Sequence, residues 1–370
     1  MVAVRRLLSV LLVGFLAAGC ASRRATPFVA TPFPLLTWLG ESTKPANTAY
    51  PQFQTGPRFG SLSGLAPDAE SQQWVGVIDD REHTRVAWLA VDYSGKGLNV
   101  TPVRMQELKP GPGVPAQVVT EADLEAIVAL PDGTFVMSEE GHRVVGRPET
   151  WEPRLLHANR DGTVTDLIEF PKAFRLSVDG KKGVRDNKGF EALAITPSAH
   201  LIAGLEGPLL QDGAVTFERG APGRLVEFAR QGRTYRPTKQ YRYMISPTPR
   251  VEGFDEVCSD GENGLVELLA LSDTRLLSME RACLVNPDTH FVTNPIQLFV
   301  VELSGGEARK RLLLDFKDVQ PRLSAALSRL ENFEGMTFGP IVNGVKTLLI
   351  VSDDNFRPEQ KTAFLLFGMR

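Results

Sequence analysis

Leu124-Glu-Ala-Ile-Val-Ala-Leu-Pro-Asp-Gly-Thr-Phe-Val-Met-Ser-Glu-Glu140 carries the pattern that decides the fold. Glu125 to Leu130 is an apolar run headed by an acid, and Pro131-Asp132-Gly133 supplies the residues a tight turn demands. Thr134 to Ser138 is apolar and β-prone enough to be the partner strand. The stretch predicts a β-hairpin that ends in acid. The same pattern runs from Leu62 to Asp79 and Asp80, from Phe190 to Glu206, from Val266 to Glu280, and from Phe333 to Asp353 and Asp354, with starts 62, 66, 76 and 67 residues apart. A long period built from short strands is a repeat architecture. Further strand-like runs follow inside the periods, such as Arg85 to Val91 and Asn99 to Arg104, or Pro295 to Glu302 and Arg311 to Phe316. Four antiparallel strands per period, repeated radially, describe an all-β protein made of a single β-propeller.

Closure sets the expected number of blades. From Phe333 only 38 residues remain, with three strand-like runs, so the last blade lacks a strand. Phe33 to Gly40 can supply it, because the 29 residues from Phe33 to Ser61 complete one period of 67 with those 38. The reading is five four-stranded blades closed by an N-terminal strand, which removes an open sheet edge. Six blades, with a degenerate copy in Gly141 to Lys188, is the alternative.

The N-terminus reads as an address. Arg5 and Arg6 precede the apolar run Leu7 to Ala18, which has the length of a signal-peptide core and is short for a retained span. Leu16-Ala17-Ala18-Gly19-Cys20 resembles a bacterial lipobox, in which Cys20 is the lipidated first residue of the mature chain; a plain secretory signal is the other reading. Ala21 and Ser22 favour the outer membrane, facing the periplasm, over inner-membrane retention. The expected organisation is a signal peptide over 1–19, a proline-rich lipidated tether with the closing strand over 20–56, and the propeller over 57–370.

A formal net charge of −3, with acids and bases mixed along the chain, gives no polyanion-coating surface and no basic-aromatic stripe, so nucleic acid is excluded as a partner and a monomer is expected. In an oxidising compartment Cys258 and Cys283, flanking the fourth hairpin, are expected at one rim as a disulfide; two separately buried thiols is the alternative.

Antiparallel pairing brings the start of each first strand and the end of its partner to one sheet edge. The acids of successive hairpins therefore form a ring at one mouth of the channel: Glu125 with Glu139 and Glu140, Glu191 with Glu206, Glu267 with Glu280, Glu334 with Asp353 and Asp354, and Asp79 and Asp80 where Ser63 replaces the first-strand acid. Crowded carboxylates repel one another, and a hard cation such as Ca²⁺, which takes six to eight oxygens, relieves that repulsion. Alternatively these acids accept backbone N–H bonds between blades, or pair with Lys188, Arg281 or Arg357.

The strings Asn187-Lys-Gly-Phe-Glu-Ala-Leu-Ala194, Glu206-Gly-Pro-Leu209, Met279-Glu-Arg281, Asn332-Phe-Glu-Gly-Met336 and Ser352-Asp-Asp-Asn-Phe356 resemble the bacterial phytase-like family, described by esterase-like activity of phytase. The resemblance covers roughly Gly56 to Arg370. It implies a propeller that hydrolyses phosphate or carboxylic esters, and the alkaline propeller phytases, related in name, use calcium held by carboxylates. On that footing Glu125, Glu140, Glu191, Glu206, Glu267, Glu280, Glu334, Asp353 and Asp354 are the expected metal ligands. Glu191, Glu334, Lys188 and Arg281 are the expected catalytic residues, the two cations holding the anion of a small ester or phosphoester and the metal lowering the pKa of water.

Other chemistries find little support. The chain has no Gly-x-Ser-x-Gly elbow, since Gly60-Ser-Leu-Ser-Gly64 has leucine at its centre. It has no Cys/His cluster with zinc spacing and no phosphate-cradling glycine loop. His142 is the best-placed histidine at the rim. Because propellers also serve as platforms, a non-catalytic ligand- or partner-binding lipoprotein of the cell envelope stands beside the hydrolase.

Overall fold

The computed structural model describes residues 34–370 apart from 47, 95–96, 142–151, 176, 178–179, 260 and 328. The signal segment, Cys20 and His142 lie outside the described residues.

The protein is nearly all β. After β1 (Leu36–Pro45), strands β2 (Leu62–Asp68), β3 (Gln73–Ile78), β4 (Arg85–Ser94) and β5 (Gly97–Glu107) pair antiparallel in that order. The short β6 (Lys109–Pro110) leads to β7 (Leu124–Ala129), β8 (Phe135–Glu139), β9 (Arg154–Ala158) and β10 (Thr163–Glu169), and pairs with β10 in parallel. A third set comprises β11 (Phe190–Ile195), β12 (Leu201–Leu205), β13 (Ala221–Gln231) and β14 (Thr234–Ile245). Next come β15 (Glu256–Val257), β16 (Gly264–Ala270), β17 (Arg275–Arg281), β18 (Leu284–Val285), β19 (Val292–Thr293), β20 (Ile296–Ser304) and β21 (Glu307–Asp315). Of these, β16, β17, β20 and β21 pair in sequence, while β15, β18 and β19 form a separate small sheet. The last strands are β22 (Asn332–Phe338), β23 (Lys346–Asp353) and β24 (Lys361–Met369), and β1 adds antiparallel to β24 from Leu36 opposite Met369 to Pro45 opposite Lys361. The expected strand from the N-terminus therefore does complete the last set.

The first strand of each set touches the first strand of the next: β2 against β7, β7 against β11, β11 against β16, β16 against β22, and β22 back against β2. The sets radiate from this ring in propeller-like fashion. Along the outer edges β14 and β21 also pair in parallel through Arg242 to Tyr243 and Glu307 to Ala308, fusing two sets into one eight-stranded sheet. Apolar clusters fill the spaces between neighbouring sets, with Trp88 against Phe135, Phe170 against Phe190 and Phe228, Tyr243 beside Leu265, and Phe316 against Phe333. Each such side chain contributes about 1.5–3 kcal/mol on burial.

Every inner hairpin carries a register shift near its start, and this fixes the site. The shift lies between Leu62 and Gly64, Leu124 and Ile127, Phe190 and Ala192, Leu265 and Glu267, and Phe333 and Gly335. A bulge leaves a residue out of the ladder and re-aims its side chain. In the second, third and last hairpins the bulge includes Glu125, Glu191 or Glu334, and in the first it falls on Ser63. In the fourth it falls on Val266. The fourth repeat is therefore Leu265-Val266-Glu267, one residue earlier than the sequence pattern suggests, because Val266-Glu267 mimics Phe190-Glu191 in composition but not in register.

Candidate functional site

Each first strand opens opposite the last residues of its partner, so each hairpin offers two positions to the channel mouth: the bulge, and the residue after the one facing the strand's first apolar residue. Leu62, Leu124, Phe190, Leu265 and Phe333 face Ile78, Glu139, Leu205, Glu280 and Ser352. The residues after these are Asp79, Glu140, Glu206, Arg281 and Asp353, and all five line a single cavity of about 600 Å³. Glu125, Glu191 and Glu334 line it from the bulges, with Lys188 beside them.

The one-residue slip decides which expected ligands are absent. Glu267 remains in the ladder, and its buried carboxylate accepts from Leu193 N at 3.2 Å and Leu268 N at 2.9 Å. Glu280 is fully buried among Tyr243, Asn263 and Lys310. Asp354, one residue beyond the lining position, accepts from Ser61 N at 3.0 Å and from Thr362. These three lie outside the cavity lining, as acceptors that tie neighbouring segments together. Asp80 pairs with Arg85, and Glu139 lies near Arg154. Arg357 lines the cavity as an exposed side chain.

Asp123, Arg81, Asn187 and Asn332 also line the cavity, although none is among the expected ligands or catalytic residues. Asp123 stands two residues before Glu125, and that spacing on a strand puts both on one face. Asn332 occupies the same place before Glu334 and donates to it at 2.9 Å. Glycine takes that place in the third repeat: a Cβ on Gly189 would lie 2.1 Å from the carbonyl of Glu140, whose carboxylate accepts from Gly189 N at 3.0 Å.

Carboxylate oxygens of Glu140, Glu191 and Glu206 lie within 4.8 Å of one another, as do those of Asp79, Asp123 and Glu125. Three cations stand among these acids. Arg81 pairs with Asp123, Lys188 Nζ lies 2.7 Å from Glu206 Oε1, and Arg281 Nη2 donates to Glu334 and sits 4.0 Å from Glu206. Glu191 Oε2 and Arg281 Nε are buried in this cavity wall without a hydrogen-bond partner.

Burial, with charge from neighbouring acids, pushes the carboxyls of Asp79, Glu125, Glu140 and Glu191 well above their usual range. Burial and Glu334 raise Asp353 to about 8. Burial also raises Glu334 itself, against the pull of Arg281. For Lys188 burial acts downward, and Glu206 and Glu191 together outweigh it, leaving the ammonium stabilised. The site gathers more acid than its own cations neutralise.

The sequence matches the family described as phytase-like, esterase-like activity of phytase, over residues 57–356. No curated protein matches the chain significantly. Among solved structures it is similar to an endo-arabinase from Bacteroides thetaiotaomicron VPI-5482, with 11% identity, 85% of this chain and 94% of that chain covered, and a TM-score of 0.46. It is also similar to a glycosyl hydrolase from Bacteroides ovatus, at 11% identity, 89% and 93% coverage and a TM-score of 0.38. A gluconolactonase from Xanthomonas campestris aligns at 10% identity, 92% and 99% coverage and a TM-score of 0.37.

Proposed function

The chain belongs to the phytase-like family, and from that premise we propose that it hydrolyses phosphate or carboxylic esters at its carboxylate-lined cavity with the help of a bound divalent cation, Ca²⁺ by preference. The observation that carries this reading is the imbalance of charge around an unmet acceptor. Ten acids line the cavity, Asp79, Asp123, Glu125, Glu140, Glu191, Glu206, Glu334 and Asp353 with Glu331 and Glu359, against the five cations Arg81, Lys188, Arg281, Arg329 and Arg357, while Glu191 Oε2 is buried without a partner. The donor set is all hard oxygen, which suits Ca²⁺. Glu140, Glu191 and Glu206 would hold the ion, and Asp79, Asp123 and Glu125 form a second group of the same kind. When bound, the cation supplies charge neutralisation for the ester's oxygens and acidifies water.

The protein's own groups then have distinct tasks. Arg281 keeps one N–H free, its Nε, to donate to a substrate oxyanion while Nη2 remains on Glu334. Lys188 fixes Glu206. Glu191 Oε2, buried and without a partner, is the acceptor left to take a proton from attacking water.

At the scale of the whole chain we read the five sets as five blades, supported by the closed circuit of first strands. We also read the molecule as an exported monomer anchored through a lipid on Cys20, facing the periplasm from the outer membrane. In that reading Cys20→Ala leaves the protein in the soluble fraction, and unchanged membrane retention of the variant defeats the anchor.

The enzyme is tested on p-nitrophenyl phosphate, a short-chain p-nitrophenyl ester and phytate, each with Ca²⁺ and with EDTA. Turnover of at least one is expected with Ca²⁺ and is lost in EDTA. Glu191→Gln should weaken Ca²⁺ binding at least tenfold by calorimetry, and Glu267→Gln should leave it unchanged. Equal affinity in both variants, or no binding heat in the wild type, would refute the cation site and leave a binding platform.

A further inference from the structure

One side of the cavity departs from the acidic pattern. In the fourth hairpin the bulge is Val266, buried in the core, and the lining position is Arg281 rather than an acid. Beyond Arg281 the chain continues into Cys283, bonded to Cys258 across a Cα separation of 5.4 Å, and then into the small sheet of β15, β18 and β19. Val285 stands directly opposite Val292 in that sheet, and Leu284 opposite Thr293. Side chains alternate along a strand, so Cys283 and Val285 share one face and Leu284 takes the other. The observed burial follows this alternation. Leu284 is fully buried, whereas Cys258, Cys283, Val285 and Val292 are half-buried and line the cavity. The sector thus presents a guanidinium with a free N–H, followed by a patch of disulfide sulfur and valine methyls, inside an enclosure whose other walls are polar, carrying the acids together with Arg81, Lys188, Arg329 and Arg357.

We propose that this patch is a subsite for the apolar alkyl or aryl group of the ligand, the substrate being an ester with an oxyanion head at Arg281 and a hydrophobic substituent against Cys258, Cys283, Val285 and Val292. The inference rests on the cavity being the ester site proposed above. Its occupant is argued from continuity: Arg281, Cys283 and Val285 follow one another along the chain and line the same cavity, so a ligand headed by Arg281 has the valine and disulfide face as its neighbouring wall. An anionic group turned against the valine methyls and the disulfide would gain no partner from them, which is costly, whereas an amphipathic ester satisfies both this face and the guanidinium beside it.

The test uses two head-matched, non-hydrolysable ligands, phenylphosphonate and methylphosphonate. A phosphonate represents both a phosphoester head and the tetrahedral anion of carboxylic ester hydrolysis. Calorimetry on the full chain with Ca²⁺ should show phenylphosphonate binding about tenfold tighter or more, since hydrophobic pockets discriminate on that scale. The double variant Val285→Thr/Val292→Thr keeps the branched shape and adds two hydroxyls. It should retain the thermal midpoint of the wild type and lose most of the preference. Equal affinities in the wild type, a preference surviving in a folded double variant, or binding of neither phosphonate overturns the subsite. Turnover separates this outcome from that of the hydrolase: equal hydrolysis of matched methyl and phenyl esters keeps the enzyme and removes the subsite. Selective phenylphosphonate binding without any hydrolysis does the reverse.

Discussion

At the residue scale, burial raises the pKa values of several of the cavity's acids, and this has a sign that solution measurements can read. Asp353 and Glu139 are raised to about 8, in both cases chiefly by burial. Asp79, Glu125, Glu140 and Glu191 are shifted the same way. As pH rises past the ordinary carboxyl range the unfolded chain gives up these protons while the folded protein keeps them. The folded state therefore binds more protons, and stability falls with pH until the raised pKa values are passed. Asp68 shifts in the opposite direction: burial acts upward, but Arg160, Ser71 and Trp88 hold it below its usual value. Its contribution is complete above the normal carboxyl pKa and stays flat in the same window. The thermal midpoint of EDTA-treated protein should decline between about pH 5 and pH 8, and saturating Ca²⁺ should flatten the decline. A midpoint that is constant or rises over this range without cation would contradict the raised pKa values. Asp123 lines the same cavity, and its place two residues before Glu125 could have revealed it.

At the element scale, the hairpin is the unit that the sequence displays and the bulge is the unit that it conceals. Turn residues such as Pro131-Asp132-Gly133 and the alternation of apolar runs made the strands legible, because both are local properties of the chain. The bulge is set by how one strand's ladder meets the next. Glu267 and Glu280 therefore looked like ring members although their hairpin is offset by one residue, and Glu267 turned out to accept backbone N–H groups, one of them from β11. Glu267→Ala, which leaves those donors unpaired, should cost about 1–3 kcal/mol in denaturant unfolding. The cysteines were legible because they flank one hairpin, and antiparallel strands return to their starting edge. Peptide mapping without reductant should find Cys258 linked to Cys283, and replacing both by serine should lower stability by about 2–4 kcal/mol. Free thiols in protein from an oxidising compartment, or an unchanged denaturant midpoint, would remove the brace.

At the scale of the whole molecule, the chain closes on itself through β1, whose backbone pairs along nearly all of β24 and whose Trp38 packs edge-on against Phe367 at 5.4 Å. Deleting residues 34–45 leaves β24 as an open edge and exposes that aromatic contact, so the truncated protein should melt at least 10 °C lower or associate, as size-exclusion chromatography would register. A monomer melting with the full-length protein would mean that closure is dispensable. The same closed circuit has a consequence for anything that enters the mouth. If every sector presented the same pair of acids, a guest could sit in several rotated poses of equal energy, and a reactive group would meet the right neighbours only part of the time. Ser63 at the first bulge already breaks the repeat, and the offset of a single residue in the fourth hairpin breaks it further by substituting a cation and a greasy wall for one pair of carboxylates. The guest acquires a single preferred heading, and a repeating scaffold gains a compass point.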